Sequence, residues 1–315
     1  MRRLSLIIAL IVVVVLAAGP WIANDVLINY GINALLVATL AQSWNIIGGF
    51  TGYVSFGNSV FYGLGTYGTA IAMSQFHHPF WQGLILGAAL AALCALFLGL
   101  PILRLRGPYF AIATLGLSAA MSAVFSNLPI AGANIGLILP LTRADAMFYE
   151  LSLALLVACT LCVAWLSRSR FGMGLIAIRE DEDAARTMGI NATLYKTLAL
   201  ILSALFTAIA GGIHAYWITF IDPASSFDPT LNVRMVIMAV FGGAGTVFGP
   251  VVGALVLSAV YEVLASRIST AAALLFGLVI VLAVIFMPKG MADLIGGVRR
   301  KGWRYLTQNI RDHRL

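Results

Sequence analysis

Charge is what this sequence has least of. Of its 315 residues, 10% are Asp, Glu, Lys or Arg, with 12 acids against 19 bases, where soluble domains carry roughly 25%. So few charges cannot cover a surface that faces water on all sides, which excludes a soluble fold. Apolar side chains make up 61% of the chain and the mean hydropathy is +0.98, so its main solvent is a lipid bilayer. No separate soluble domain fits in what is left.

Ionisable groups are scarcer still inside the apolar runs, whereas an intramembrane enzyme or ion-coupled carrier places them within its spans. Of four histidines, His77 and His78 stand beside Pro79 in a short outer loop, His313 lies in the tail and His214 alone falls within a span. His214 reads as a packed, hydrogen-bonded side chain or as a pathway contact. Arg234 and Glu262, near the outer ends of their segments, read as snorkelling side chains; a substrate carboxylate is the other partner that would suit the Arg234 guanidinium. Cysteine is limited to Cys94, Cys159 and Cys162. The last two have CxxC spacing but no His or acid near them in sequence, so they read as small buried hydrophobes rather than metal ligands. No Gly-x-x-x-x-Gly-Lys-Ser/Thr phosphate loop occurs, which excludes a P-loop ATPase on this chain. The expectation is a non-enzyme without catalytic residues, metal or cofactor of its own.

What the sequence does have is a series of apolar runs, at 4–23, 26–47, 59–76, 81–103, 108–126, 149–166, 197–218, 231–241, 249–265 and 269–287. They predict an all-α, polytopic membrane protein of about ten transmembrane helices, some broken or re-entrant, with both termini cytoplasmic. The first run ends in Ala17-Ala18-Gly19, similar to a signal-peptide cleavage site, but its length favours a retained helix. The run 231–241 covers only about 16 Å as a helix and should penetrate part way. With the N-terminus inside, the inner segments are 48–58, 104–107, 168–195, 242–248 and 289 onward. Sixteen of the 19 Lys and Arg then lie inside, against Arg143, Arg234 and Arg267 outside, as the positive-inside rule requires. The net charge of +7 therefore reads as topology, not as affinity for nucleic acid.

Two runs are interrupted by glycine. The first break runs from Gly48 to Asn58 and continues through Gly63-Leu64-Gly65-Thr66; the second runs from Gly242 to Pro250. Non-helical backbone at membrane depth survives only where protein covers it or a watery cavity receives it, and in transporters paired breaks point to the translocation path. Ser55, Phe56, Gly57, Asn58, Gly63, Gly65, Tyr109, Gly242, Gly243, Gly245, Thr246 and Pro250 are the expected lining or gating residues. Close helix packing through small residues is a compatible reading of the same glycines.

The inner loop 167–195 gathers four consecutive acids, Glu180 to Asp183. Its composition predicts a short helix over 178–188, stopped by Gly189 as a C-terminal cap. Ile178, Ala185 and Met188 would share an apolar stripe, with Arg179, Glu182, Asp183 and Arg186 as a charged surface. Such a helix is either solvated or docks into a groove of a cytoplasmic partner.

Asp183-Ala184-Ala185 followed by Gly189 resembles the EAA signature of ABC-importer permeases, which marks the helix docked on the ATPase. The run from Phe171 to Asn191, the Gly242–Thr246 break with Gly249-Pro250, the stretch from Thr51 to Tyr67 and the run Arg106–Leu115 are each similar to signatures of the branched-chain amino-acid permease family, in its LivM-type branch. Together the matches cover residues 26 to 290, in order. Tyr53 stands where that family commonly has Gln, and Ile130–Leu137 keeps Gly136-Leu137 without the usual Thr-Gly-Gly; both departures are expected near the substrate route.

The resemblance implies a multi-pass permease subunit in a bacterial inner membrane. Its partners would be a homologous, LivH-like permease, two cytoplasmic ABC ATPases that bind ATP and Mg, and a periplasmic substrate-binding protein. Residues 1–290 would form the permease domain with coupling loop 167–195; the basic tail 291–315 would lie against anionic membrane lipid on the cytoplasmic side. Arg179, Glu180, Glu182, Asp183, Ala184, Ala185 and Gly189 would couple to the ATPase. The implied cargo is branched-chain or other small amino acids, with urea, amides or another small solute as the alternative. An ATP-independent channel or secondary carrier is the more distant one.

Overall fold

In the computed structural model of the chain, the described residues are 19–22 and 24–267, apart from Arg143, with Leu16, Gly277 and Met291 as isolated positions. Apart from those positions, the run 4–23 up to residue 18, the run 269–287 and the tail with His313 lie outside the described residues. The fold is all-α, with one two-stranded exception. Besides short turns at Gly19–Ile22, Pro129–Ala131, Ala133–Ile135 and Pro223–Ser226, the described helices are α1 (Asp25–Thr51), α2 (Asn58–Ser74), α3 (Phe80–Ile102), α4 (Pro108–Asn127), α5 (Asp145–Leu166), α6 (Arg170–Glu180), α7 (Glu182–Thr187), α8 (Ala192–Ile218), α9 (Pro229–Gly242) and α10 (Gly249–Arg267).

Among the described residues six helices are long and apolar enough to cross a membrane: α1, α3, α4, α5, α8 and α10. The 14 residues of α9 rise only about 21 Å and reach part way, in keeping with the short run seen there. The helix ends follow from local chemistry. Pro108 and Pro229 stand in the first turn, where the missing N–H costs nothing. Gly52 closes α1 at φ 74°, a left-handed conformation that favours glycine.

Helix α8 lies at the centre, packed against α1, α2, α3 and α5, while α1 also carries α9 and α10. With lipid on the outside, apolar burial does not drive helices together, and close van der Waals approach takes its place. Gly65 shows how close: a Cβ there would sit 2.0 Å from the Ala208 carbonyl oxygen of α8. Large side chains fill the remaining interior, with Trp44, Phe50, Tyr67, Phe110 and Phe148 almost fully buried.

The segments read as lying on one side meet at one end of the bundle. Arg179 reaches the Gly49 carbonyl, Arg106 pairs with Asp183, and Gly245 bonds to Asn45. At the other end, strands β1 (Leu137–Ile138) and β2 (Phe220–Ile221) pair antiparallel, Leu137 opposite Ile221, and Tyr216 packs on Phe80 and Phe148. The described segments expected on the inner side thus share one end of the bundle, and those of the β1–β2 pair the other.

Three expectations need correction. The single helix predicted over 178–188 is two, α6 and α7, because Asp181 adopts an extended conformation (φ −158°, ψ 110°) and its carboxylate caps the start of α7. The apolar stripe is incomplete: Ile178 and Ala185 are buried, but Met188 is 83% exposed. The breaks are also shorter than the glycine runs. Helix α1 continues through Gly48 and Gly49 to Thr51, leaving 52–57 irregular, and α9 includes Gly242, leaving 243–248.

Candidate coupling loop and re-entrant segments

The second break is held by side chains of α1. Asn45 accepts from the Gly245 N–H at 2.7 Å and donates to the Thr246 carbonyl at 3.0 Å, and Gln42 donates to the Val247 carbonyl at 2.8 Å. Gly49 leaves room for this contact, since a Cβ there would meet the Gly245 nitrogen at 2.5 Å. Within the break Thr246 Oγ1 donates to the Gly243 carbonyl and accepts from the Gly249 N–H, so the turn into α10 is closed by its own hydroxyl. Pro250 follows, buried in the first turn of α10.

The first break is held by α1 and α4, and the start of α2 after it by α9. Trp44 Nε1 donates to the Ser55 carbonyl at 2.8 Å, the Phe56 N–H donates to Thr114 Oγ1 at 3.1 Å, and Ser118 Oγ donates to the Phe56 carbonyl at 3.0 Å. Helix α2 then begins inside the bundle. Its Ser59 N–H donates to Asn232 Oδ1 at 2.7 Å, and Asn58 Nδ2 donates to Ser203 Oγ at 3.0 Å, which in turn donates to the Ser43 carbonyl at 2.7 Å. These buried backbone groups thus find protein partners, as their depth in an apolar bundle demands. The side-chain oxygens Gln42 Oε1 and Asn58 Oδ1 are buried without a hydrogen-bond partner among the described residues.

The expected lining residues divide accordingly. Ser55, Phe56, Gly57 and Asn58 sit together beside Thr114 and Ser118, and Gly242, Gly243, Gly245, Thr246 and Pro250 form the second turn against α1. Gly63 and Gly65 lie in packed interfaces, facing the Phe227 ring and the Ala208 backbone. Tyr109 is turned outward and 72% exposed. His214 packs between the rings of Tyr62 and Trp217, with centroids at 5.7 and 5.9 Å. Arg234 lies 6.0 Å from the Tyr261 ring, beside a cavity of about 460 Å³ between α1, α9 and α10 that Glu262 also lines.

The charged loop lies against the inner end of both breaks. Asp181 Oδ1 accepts from the Asp183 and Ala184 N–H groups at 2.9 Å, and the last turn of α7 closes on Gly189 (φ 85°), with the Ile190 N–H bonded to the Ala185 carbonyl. Ala185 packs on Ile178 and Ala192, while Ala184 stays exposed. Arg179 links the loop to the first break through the Gly49 carbonyl at 3.0 Å and holds Glu180 at 2.8 Å. Asp183 forms a two-pronged pair with Arg106 at 2.8 and 3.0 Å. That guanidinium holds the Asp183 carboxyl below the usual range. A cavity of about 550 Å³ between the loop and the first break is lined by Tyr53, Pro108, Arg106, Arg179 and Asp183.

Glu182 departs from expectation. Rather than joining a charged surface, its side chain is only 10% exposed and faces the bundle. It accepts from Tyr53 Oη and from Lys196 Nζ at 3.1 Å, with Arg186 at 2.6 Å on its outer side. Partial burial pushes its carboxyl up, but these hydrogen bonds and the neighbouring positive charges outweigh that and leave it below the usual range. Tyr53, which departs from the family's common Gln, meets the charged loop. Sequence reasoning missed Lys196, Asn45, Gln42 and Asn232. The available signal was polar residues inside apolar runs, where each must have a partner.

Among the described residues this is an apolar bundle whose buried polar side chains serve two helix breaks, the arrangement of a membrane transport scaffold. The chain belongs to the family described as branched-chain amino acid transport system / permease component, whose model matches residues 26–286. It is similar to the high-affinity branched-chain amino acid transport system permease protein LivM of Salmonella typhimurium, 26% identical over 313 residues, covering 89% of this chain and 73% of that protein. LivM of Escherichia coli is likewise 26% identical, over 91% of this chain and 74% of the relative. The permease protein LivH of Salmonella typhimurium is 25% identical over 55% of this chain and 54% of its own. The chain is accordingly a multi-pass inner-membrane protein.

Proposed function

We propose that this chain is one permease subunit of an ABC importer for branched-chain or other small amino acids, working beside a second, LivH-like permease. Two cytoplasmic ABC ATPases supply the ATP and Mg site, and a periplasmic binding protein delivers the solute. In this reading the runs 4–23 and 269–287 complete about ten crossings, residues 1–290 form the permease domain, and both termini are cytoplasmic. The tail 291–315 lies on anionic lipid.

The observation that carries the reading is the capped turn of α7. Asp183, Ala184 and Ala185 sit on a helix fixed at both ends by Asp181 and Gly189, bound to the end of the bundle where the two breaks meet. ATP binding closes the ATPases, α7 moves with them, and the breaks change their exposure to either side; each state must bind its partners differently for this to transduce energy. Glu180, Ala184 and the outer faces of Asp183 and Arg186 meet the ATPase. The oxygens of Gln42 and Asn58, unpartnered among the described residues, support a route for a polar solute beside the breaks.

Reconstitution in proteoliposomes tests this directly. With the partner permease, ATPases and binding protein present, leucine, isoleucine or valine uptake should require ATP. Uptake by this chain alone, without ATP, would sink the importer reading in favour of a channel or carrier.

A further inference from the structure

Lys196 stands in the second turn of α8 with its side chain fully buried. An ammonium group is costly to bury unless it is both paired and hydrogen-bonded. Its Nζ meets the Leu103 carbonyl at 3.0 Å, Tyr53 Oη at 3.0 Å and both Glu182 carboxylate oxygens at 3.1 Å, and it lies 4.1 Å from the Tyr53 ring centroid. Tyr53 also donates to Glu182, which closes a triangle. The group joins four pieces of chain: α8, the end of α3, the irregular segment 52–57 and α7.

The other side-chain ties from α7 are weaker or do not reach the breaks. The Asp183–Arg106 pair has side chains 71% and 50% exposed, and such pairs contribute little in water. Ala185 packs on α6 and α8, away from segment 52–57. Beyond the triangle, Tyr53 stands edge-on to Phe110 at 5.3 Å, and Phe56 hangs on Thr114 and Ser118 of α4. A displacement of α7 by an ångström or two takes these bonds past hydrogen-bonding range unless Tyr53 follows.

We propose that Lys196 is a positioning residue whose ties to Glu182 and Tyr53 form a latch carrying the movement of α7 into segment 52–57. This rests on the reading of α7 as the ATPase-docking helix. A buried, fully bonded cation ties the two moving parts to one geometry, so the break opens when the coupling helix moves and not otherwise.

The test is substrate moved per ATP hydrolysed, measured with leucine in proteoliposomes holding the complete transporter. Tyr53→Phe keeps the ring on Phe110 and removes only the hydroxyl. It should lower leucine moved per ATP by about tenfold, on the scale of one hydrogen bond to a charged group. Lys196→Met and Glu182→Gln should do the same or worse. A merely structural role would lower the amount of active complex and leave that ratio unchanged. Tyr53→Phe at the wild-type ratio overturns the latch and leaves the importer reading standing. Wild type that hydrolyses ATP without moving any amino acid overturns both.

Discussion

Asn45 and Gly245 are 200 residues apart in sequence and bonded at 2.7 Å, the Asn45 carbonyl oxygen accepting the N–H of a glycine that has left the helical path. The same side chain donates to Thr246, so one amide serves both polarities of the second break.

Replacing Asn45 by Leu should strip both bonds from the part-buried Gly245 N–H and Thr246 carbonyl, at about 1 kcal/mol for each. Thermal unfolding in detergent would show the loss as a lower Tm. Asn45→Asp retains the acceptor for Gly245 and should fall between the two; a Tm equal to that of Asn45→Leu would contradict this account.

Gly65→Leu should abolish the correctly packed protein, because even a Cβ would press into the Ala208 backbone of α8. Gly116→Ala provides the contrast, with nothing within 4 Å of an added Cβ. Size-exclusion profiles should show Gly116→Ala as wild type and Gly65→Leu as aggregate; equal monodispersity for both would refute close α2–α8 packing.

The stability contributed by Glu182 should depend on pH. Its carboxyl lies below the usual range in the folded state, so the contribution is present above the unfolded value of about 4.3 and is lost as pH falls through the lowered native value. The Tm gap between wild type and Glu182→Gln should be widest near neutrality and narrow in acid. A gap constant with pH would mean that the ionised carboxylate is not what stabilises the fold.

Asp181→Ala removes the cap that starts α7, which should cost about 1 kcal/mol locally. Amide hydrogen exchange across 182–188 should quicken, and fewer ATPase subunits should co-purify. Unchanged exchange would show that α7 is held by other contacts.

The chain's solvent and the whereabouts of its breaks were legible because each depends on local composition. A scarcity of charge, an excess of Lys and Arg on alternate loops and glycine inside apolar runs all have meanings that hold wherever the chain folds. The charged loop was found for the same reason, since four consecutive acids are conspicuous in so apolar a sequence. Its internal form was not. The sequence suggested one helix because residues 178–188 have helical composition, but Asp181 competes for the backbone and starts a second one. Met188 likewise fits an apolar stripe by spacing but is turned outward by that break.

By itself, then, the sequence determined that this is an all-α membrane protein of permease character, with two interrupted regions and a charged inner loop. The tertiary structure alone decided what the interruptions bond to and which way Glu182 points. The partners lie 129 residues apart for Tyr53 and Glu182 and 205 for Gln42 and Val247. A buried polar group needs a partner somewhere, and only the packed bundle says where it is.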